Sequence, residues 1–167
     1  MNGTNIGMGN EKAINQLIAH HSIVFEPKKL IVWISTSPWQ LGQYVAYDLN
    51  KIFALHGMQE NKEIADSNLT IAPDSFLLTP SYKNFEAFRN IKQQMLNGGT
   101  VNTADLIASN PEFYNAYLLA GDYLYKQKEY AAALKNYNLA LTKVIATKKE
   151  EDHIKEQIKK VNKKLAP

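Results

Sequence analysis

The sequence predicts an α+β chain in which a small antiparallel sheet built on a β-hairpin is followed by an α-helical extension. Three observations predict it. The stretch His20–Phe53 is the densest apolar part of the chain, holds both tryptophans and has the only convincing strand pattern. From Thr79 onward, apolar residues recur at three- and four-residue intervals, the period of an amphipathic helix. Between the two lies a mostly polar connector, Phe53 to Asp74, of the length that marks a boundary or a wrap across another surface. The division falls near residue 75, with a β-rich segment over 1–75 and a helical one over 76–167.

Taken in order, residues 1–13 are polar and carry Gly3, Gly7 and Gly9. They lack both the Gly-Lys-Ser/Thr and the preceding strand that aim backbone N–H groups at phosphate, so they read as a flexible lead-in loop. From Leu17 to Phe25 apolar residues occupy both faces of an alternating pattern, which suits a strand covered on both sides. Glu26-Pro27-Lys28-Lys29 is a turn. Leu30–Ser35 is a second, β-branched and aromatic strand that completes a hairpin. Pro38 breaks it. Gln43–Leu49 reads as a third short strand or as the run into a helical turn.

Thr79-Pro80 reads as a cap followed by proline at the first helical position. The spacing of Tyr82, Phe85, Phe88 (or Arg89), Ile91, Met95 and Leu96 then predicts a helix over 81–96, ended by Asn97-Gly98-Gly99. Thr103 is placed to cap a short helix over 104–109, and Asn110-Pro111 interrupts again. A last helix over 148–165 sets Ile154, Ile158, Val161 and Leu165 on one face with lysines elsewhere.

Composition narrows the function. The 167 residues, 45% hydrophobic and 21% charged, suit one ordinary domain or two small ones. The net charge of +3 owes much to the lysine-rich last twenty residues. No basic stripe with interleaved aromatics marks a nucleic-acid surface. The absence of cysteine excludes disulfides, cysteine-ligated zinc and a cysteine nucleophile in this polypeptide. No apolar run reaches the roughly 18 residues that span a bilayer, and the N-terminus lacks the basic and apolar regions of a signal peptide. The chain is therefore expected to be soluble, cytoplasmic by default, with its compartment left unspecified.

His20 and His21 are neighbours on the expected strand and point to opposite faces, so they cannot chelate one ion together. His56 and His153 have no supporting ligands at useful spacing, and neither a metal nor a cofactor is expected. Ser22, Ser35 and Ser37 lack the glycine frame of a nucleophile elbow and read as strand-paired polar residues. No catalytic residue is assigned. The residues placed to line a substrate pocket are His21, Ser37, Trp39 and Gln40, since an aromatic with polar neighbours at a strand end suits an acyl or amide group; the competing reading of Trp39 is an ordinary core residue.

Two resemblances add to this reading. Tyr117, Ala120, Gly121, Leu124, Tyr130, Ala133, Tyr137 and Ala140 resemble a single tetratricopeptide repeat. Gly121 and Ala133 are small where two antiparallel helices cross, and the larger residues fill the flanks. Leu124 and Ile145 depart from the repeat's usual tyrosine and proline. One repeat cannot bury its own apolar face, so helices over 81–109 or the sheet must supply a neighbour. The helical part then either packs on its own domain or offers a groove to a peptide partner.

The second resemblance covers about residues 14–145. His20-His21-Ser22-Ile23-Val24-Phe25, Leu30–Ser35, Ser37-Pro38-Trp39-Gln40-Leu41-Gly42 and Tyr44–Leu49 resemble the C-terminal part of N-terminal-nucleophile hydrolases of the aminopenicillanic-acid acyltransferase and choloylglycine-hydrolase type. The resemblance continues through Ala72–Leu77 into Tyr82–Phe85. It implies a partial αββα sandwich and cleavage or transfer of amide-linked acyl groups. The family's nucleophile is an N-terminal cysteine whose own α-amino group serves as base, and that residue is missing here. The resemblance therefore implies a C-terminal portion that is inactive alone and works with an N-terminal catalytic segment or with another copy of itself. A non-enzymatic, tetratricopeptide-like interaction module is the competing expectation.

Overall fold

The protein is described by a computed structural model over residues 6–13, 16–17, 19–55 and 63–166. His56 and Gly3 lie outside the described residues. The fold is α+β and divides into two compact units. One runs from Leu17 to Thr79. The other takes the residues up to Gln16 together with Pro80 onward, so the first residues go with the helices and the later boundary falls at Thr79 instead of 75.

The first unit is a three-stranded antiparallel sheet in the order β1-β2-β3, with β1 Ile23–Glu26, β2 Ile31–Ser35 and β3 Tyr44–Asp48. Val24 faces Trp33, and Trp33 faces Ala46. The turn after Glu26 is closed by Lys29 N–H donating to the Glu26 carbonyl (3.1 Å) and by Leu30 at φ 56°. The first strand is shorter than the alternation suggests. It begins at Ile23, because β2 ends at Ser35 ahead of Pro38 and leaves residues 19–21 with no strand opposite. Nor is β1 covered on both sides: Ile23, Val24 and Phe25 are 51%, 47% and 64% exposed, and β1 is an edge strand.

The segment after Gly42 is both of the things its sequence allows. β3 runs straight into α1, Leu49–Phe53, whose N-cap Asp48 accepts from Asn50 N–H at 3.0 Å. The connector then returns along β3. Ile71 and Tyr44 exchange backbone hydrogen bonds at 3.0 Å, Asp66 N–H donates to the Ala46 carbonyl at 2.8 Å, and the Trp33 indole N–H donates to the Leu69 carbonyl at 2.8 Å. It is thus a wrap that closes the β3 edge. Among the described residues the β1 edge has no such cover.

The second unit contains α2 Pro80–Leu96, α3 Thr103–Ser109, α4 Tyr114–Lys126, α5 Tyr130–Leu141 and α6 Lys148–Leu165. Each of these helices lies against the next, and α2 also reaches α4. Their core joins Phe88, Leu106, Phe113 and Tyr114 to Tyr137, Ile154 and Val161. Phe113 stacks edge-on with Phe88 at 5.6 Å and with Tyr114 at 5.2 Å. α3 is capped by Asn102, which accepts from Ala104 N–H at 2.9 Å, and Thr103 is already helical. α6 opens with a full capping box in which Thr147 and Glu150 satisfy each other's backbone. Of its expected apolar stripe, Ile154 and Val161 are fully buried while Leu165 is 45% exposed.

The glycine-rich lead-in is also unlike its expectation. Residues 6–13 are tied down, because Met8 and Asn10 hydrogen-bond across the chain to Asn110 and Val144.

Candidate functional site

Three of the expected pocket residues follow β2 directly. Ser37 and Pro38 are joined by a cis peptide bond, and Trp39 opens a 3₁₀ turn, Trp39–Leu41, at φ 49°. Gly42 ends this turn where no larger residue fits, since a Cβ there would lie 2.2 Å from the Thr36 carbonyl oxygen. Thr36 N–H then meets the Gln43 carbonyl at 2.8 Å, and β3 begins. Ser37 is exposed, and Trp39 and Gln40 are half-buried.

His21 comes to the same end of the sheet by register. Ser35 N–H donates to the Ser22 carbonyl and Ser22 N–H donates to the Ser35 hydroxyl, each at 2.9 Å. The residue before Ser22 and the residues after Ser35 therefore leave the hairpin at one end. His21 is exposed there. The Ser35 hydroxyl is thus engaged in strand pairing. Chemically, this end offers a half-buried indole, a carboxamide, a hydroxyl and an imidazole.

A charged recess of this unit lies between α1 and residues 63–68. Lys51 bridges Asp66 at 2.6 Å and Asp48 at 3.7 Å. Their hydrogen bond raises the lysine's pKa and lowers that of Asp66, so these charges satisfy one another. Among the described residues, no three His, Asp or Glu side chains come together in a way that holds a metal ion, and no helix is long and apolar enough to cross a membrane.

In the helical unit the repeat-spaced residues sit along the α4–α5 crossing. Ala120, Ala133, Tyr137 and Ala140 are fully buried, Tyr117 and Gly121 are buried, and Leu124 and Tyr130 are half-buried. A Cβ on Gly121 would lie 2.6 Å from the Tyr137 ring, so the crossing closes over a bare backbone. The Tyr137 hydroxyl donates to Asp122 Oδ1 at 2.7 Å. Burial pushes the Asp122 carboxyl above its ordinary pKa, while the tyrosine bond and the charges of His153, Lys126 and Lys160 pull it back. Burial likewise raises the Tyr137 phenol. The Tyr114 hydroxyl donates to Glu150, linking α4 to the first turn of α6, and burial raises this phenol too.

Two contributors escape sequence reasoning. The Thr147–Glu150 box carries a readable signal, Thr-x-x-Glu ahead of an apolar stripe. The clamp of Asn10 and Asn110 on the N-terminal residues carries none, because its partners are separated by more than a hundred positions. Set against family models, curated proteins and solved structures, the chain matches none of them.

Proposed function

We propose that the Leu17–Thr79 unit is part of the sheet of an N-terminal-nucleophile amide hydrolase or acyltransferase, completed by polypeptide outside these 167 residues. The observation that carries the reading is the edge of β1, which no strand among the described residues covers. The Ser22–Ser35 bonds set the ladder's alternation, so Ser22, Val24 and Glu26 turn their backbone groups toward β2. Ile23 and Phe25 turn theirs outward, with their own exposed side chains on one face of the strand and that of Val24 on the other. An apolar edge of this kind is a template for another strand. The likeness of residues 20–49 to the late strands of those hydrolases supplies the identity of the missing neighbour.

In this reading the added strands bring the cysteine nucleophile and its α-amino base, and Ser37, Trp39, Gln40 and His21 contribute to the wall that holds the acyl group. The chain alone hydrolyses nothing. The test uses native material captured from its own cells through α6 and assayed on N-acyl amides. Hydrolysis that is abolished by a thiol-directed reagent is expected, and since this chain has no cysteine, the label must land on a different segment. Captured material that leaves acyl amides intact and carries no reactive thiol would overturn the proposal.

A second reading has an observation of its own. The helices of the second unit succeed one another as neighbours from α2 to α6, the manner of a repeat array. A tetratricopeptide-like interaction module would use that arrangement to bind a protein partner.

A further inference from the structure

We propose that the α3–α4 junction, together with the α5–α6 turn, is a peptide-docking site that reads a turned Gly-x-Gly-Asn segment, and that residues 6–13 of this chain are its occupant. The inference is independent of the hydrolase reading.

The site reads backbone with a side-chain amide. Asn110, 2% exposed, spends its carboxamide on a single residue of the segment. Its Nδ2 donates to the Met8 carbonyl at 2.8 Å, and its Oδ1 accepts from Met8 N–H at 3.1 Å. Carboxamide and peptide group are matched donor–acceptor pairs, so Asn110 does for Met8 what a neighbouring strand would do. The second anchor belongs to the segment. Asn10 is fully buried; its Nδ2 donates to the Val144 carbonyl at 2.8 Å and to the Ile6 carbonyl at 2.9 Å, while its Oδ1 accepts from Lys12 N–H at 3.0 Å. One side chain thus folds the segment and fastens it to the turn between α5 and α6.

Shape fixes the rest of the motif. Gly7 sits at φ 75°, and a Cβ there would lie 2.4 Å from the Cα and Cβ of Phe113. Gly9 takes φ 84°. The position between them, Met8, is half-buried and is held through both of its backbone groups by Asn110. Among the described residues, the buried hydrophobic cluster of the helices runs from Phe88 onward, and the segment adds to that unit the buried polar side chain of Asn10. The segment therefore behaves as a ligand held in cis, and a free peptide must compete with it intramolecularly.

The test uses the full chain and a fluorescent peptide of residues 6–13. Gly7→Ala in the chain drives its own segment off Phe113 and leaves the receptor side chains untouched. This variant is expected to bind the peptide at least tenfold more tightly than the unaltered chain. Adding Asn110→Ala to it, or Asn10→Ala to the peptide, is expected to abolish that gain. Equal binding by the Gly7→Ala and unaltered chains, or binding that Asn110→Ala leaves intact, overturns the proposal. Hydrogen exchange on the unaltered chain is the second measurement, should Gly7→Ala disturb folding. The Met8 amide is expected to exchange at least tenfold more slowly than in Asn110→Ala and to lose protection when excess peptide is added. An unprotected Met8 amide, or protection indifferent to the peptide, overturns it equally.

Discussion

Tyr137 and Asp122 set the terms at which α4 and α5 meet. The tyrosine is fully buried and its hydroxyl bonds the carboxylate at 2.7 Å, while burial holds the Asp122 pKa above its ordinary value. A carboxyl whose pKa is higher folded than unfolded binds more protons in the folded state, so stability falls as pH rises through that interval and stays lower above it. Asp122→Asn keeps an acceptor for Tyr137 and removes the charge. Thermal melts are expected to show this variant gaining stability relative to the unaltered chain between about pH 3 and pH 7; a constant difference across that range would refute the assignment. Tyr137→Phe deletes the donor instead and is expected to cost about 1–3 kcal/mol at neutral pH in urea titrations. Neither residue's role was visible beforehand. Tyr137 was legible as a repeat-spaced packing residue, but a spacing pattern records size and period, and the partner across the crossing is set by how closely the backbones approach at Gly121.

Helix α6 shows what one side chain does for an element. Glu150 closes the capping box with Thr147 and also accepts the Tyr114 hydroxyl. Thr147→Ala is expected to cost about 1 kcal/mol, the worth of a cap. Glu150→Ala loses the box and strands a buried phenol as well, so denaturant titration should find it the more damaging of the two. The elements that read well from sequence are those whose signal is periodic and local: β2, α2, α4, α5 and α6 lie where alternation or helical spacing puts them. The start of β1 did not read, because alternation continues through residues 17–22 while the strand that would pair with them stops at Ser35. The exposure of β1 was illegible for the same reason. An apolar strand looks identical whether its cover is present or supplied by something else.

At the scale of the molecule, the α+β class and the order of sheet before helices were legible because composition and period both change near Thr79. The anchoring of the N-terminal residues to the helical unit was not. Asn10 and Asn110 are unremarkable letters in polar contexts, and only the fold brings each within reach of its partner. The expected pocket residues do share one end of the sheet, which the hairpin register dictates once β1 and β2 pair. The uncovered β1 edge is the feature on which the functional reading turns. Placing a lysine on it, Phe25→Lys, is expected to prevent docking of an added strand without altering the helical content seen by circular dichroism. The most direct measurement is the intact mass of the native species captured through α6, with and without that substitution. The expected result is a species heavier than the 18.9 kDa of this chain, or a second polypeptide that accompanies it and is lost in Phe25→Lys. A single species at 18.9 kDa from native cells, indifferent to the substitution, would contradict it.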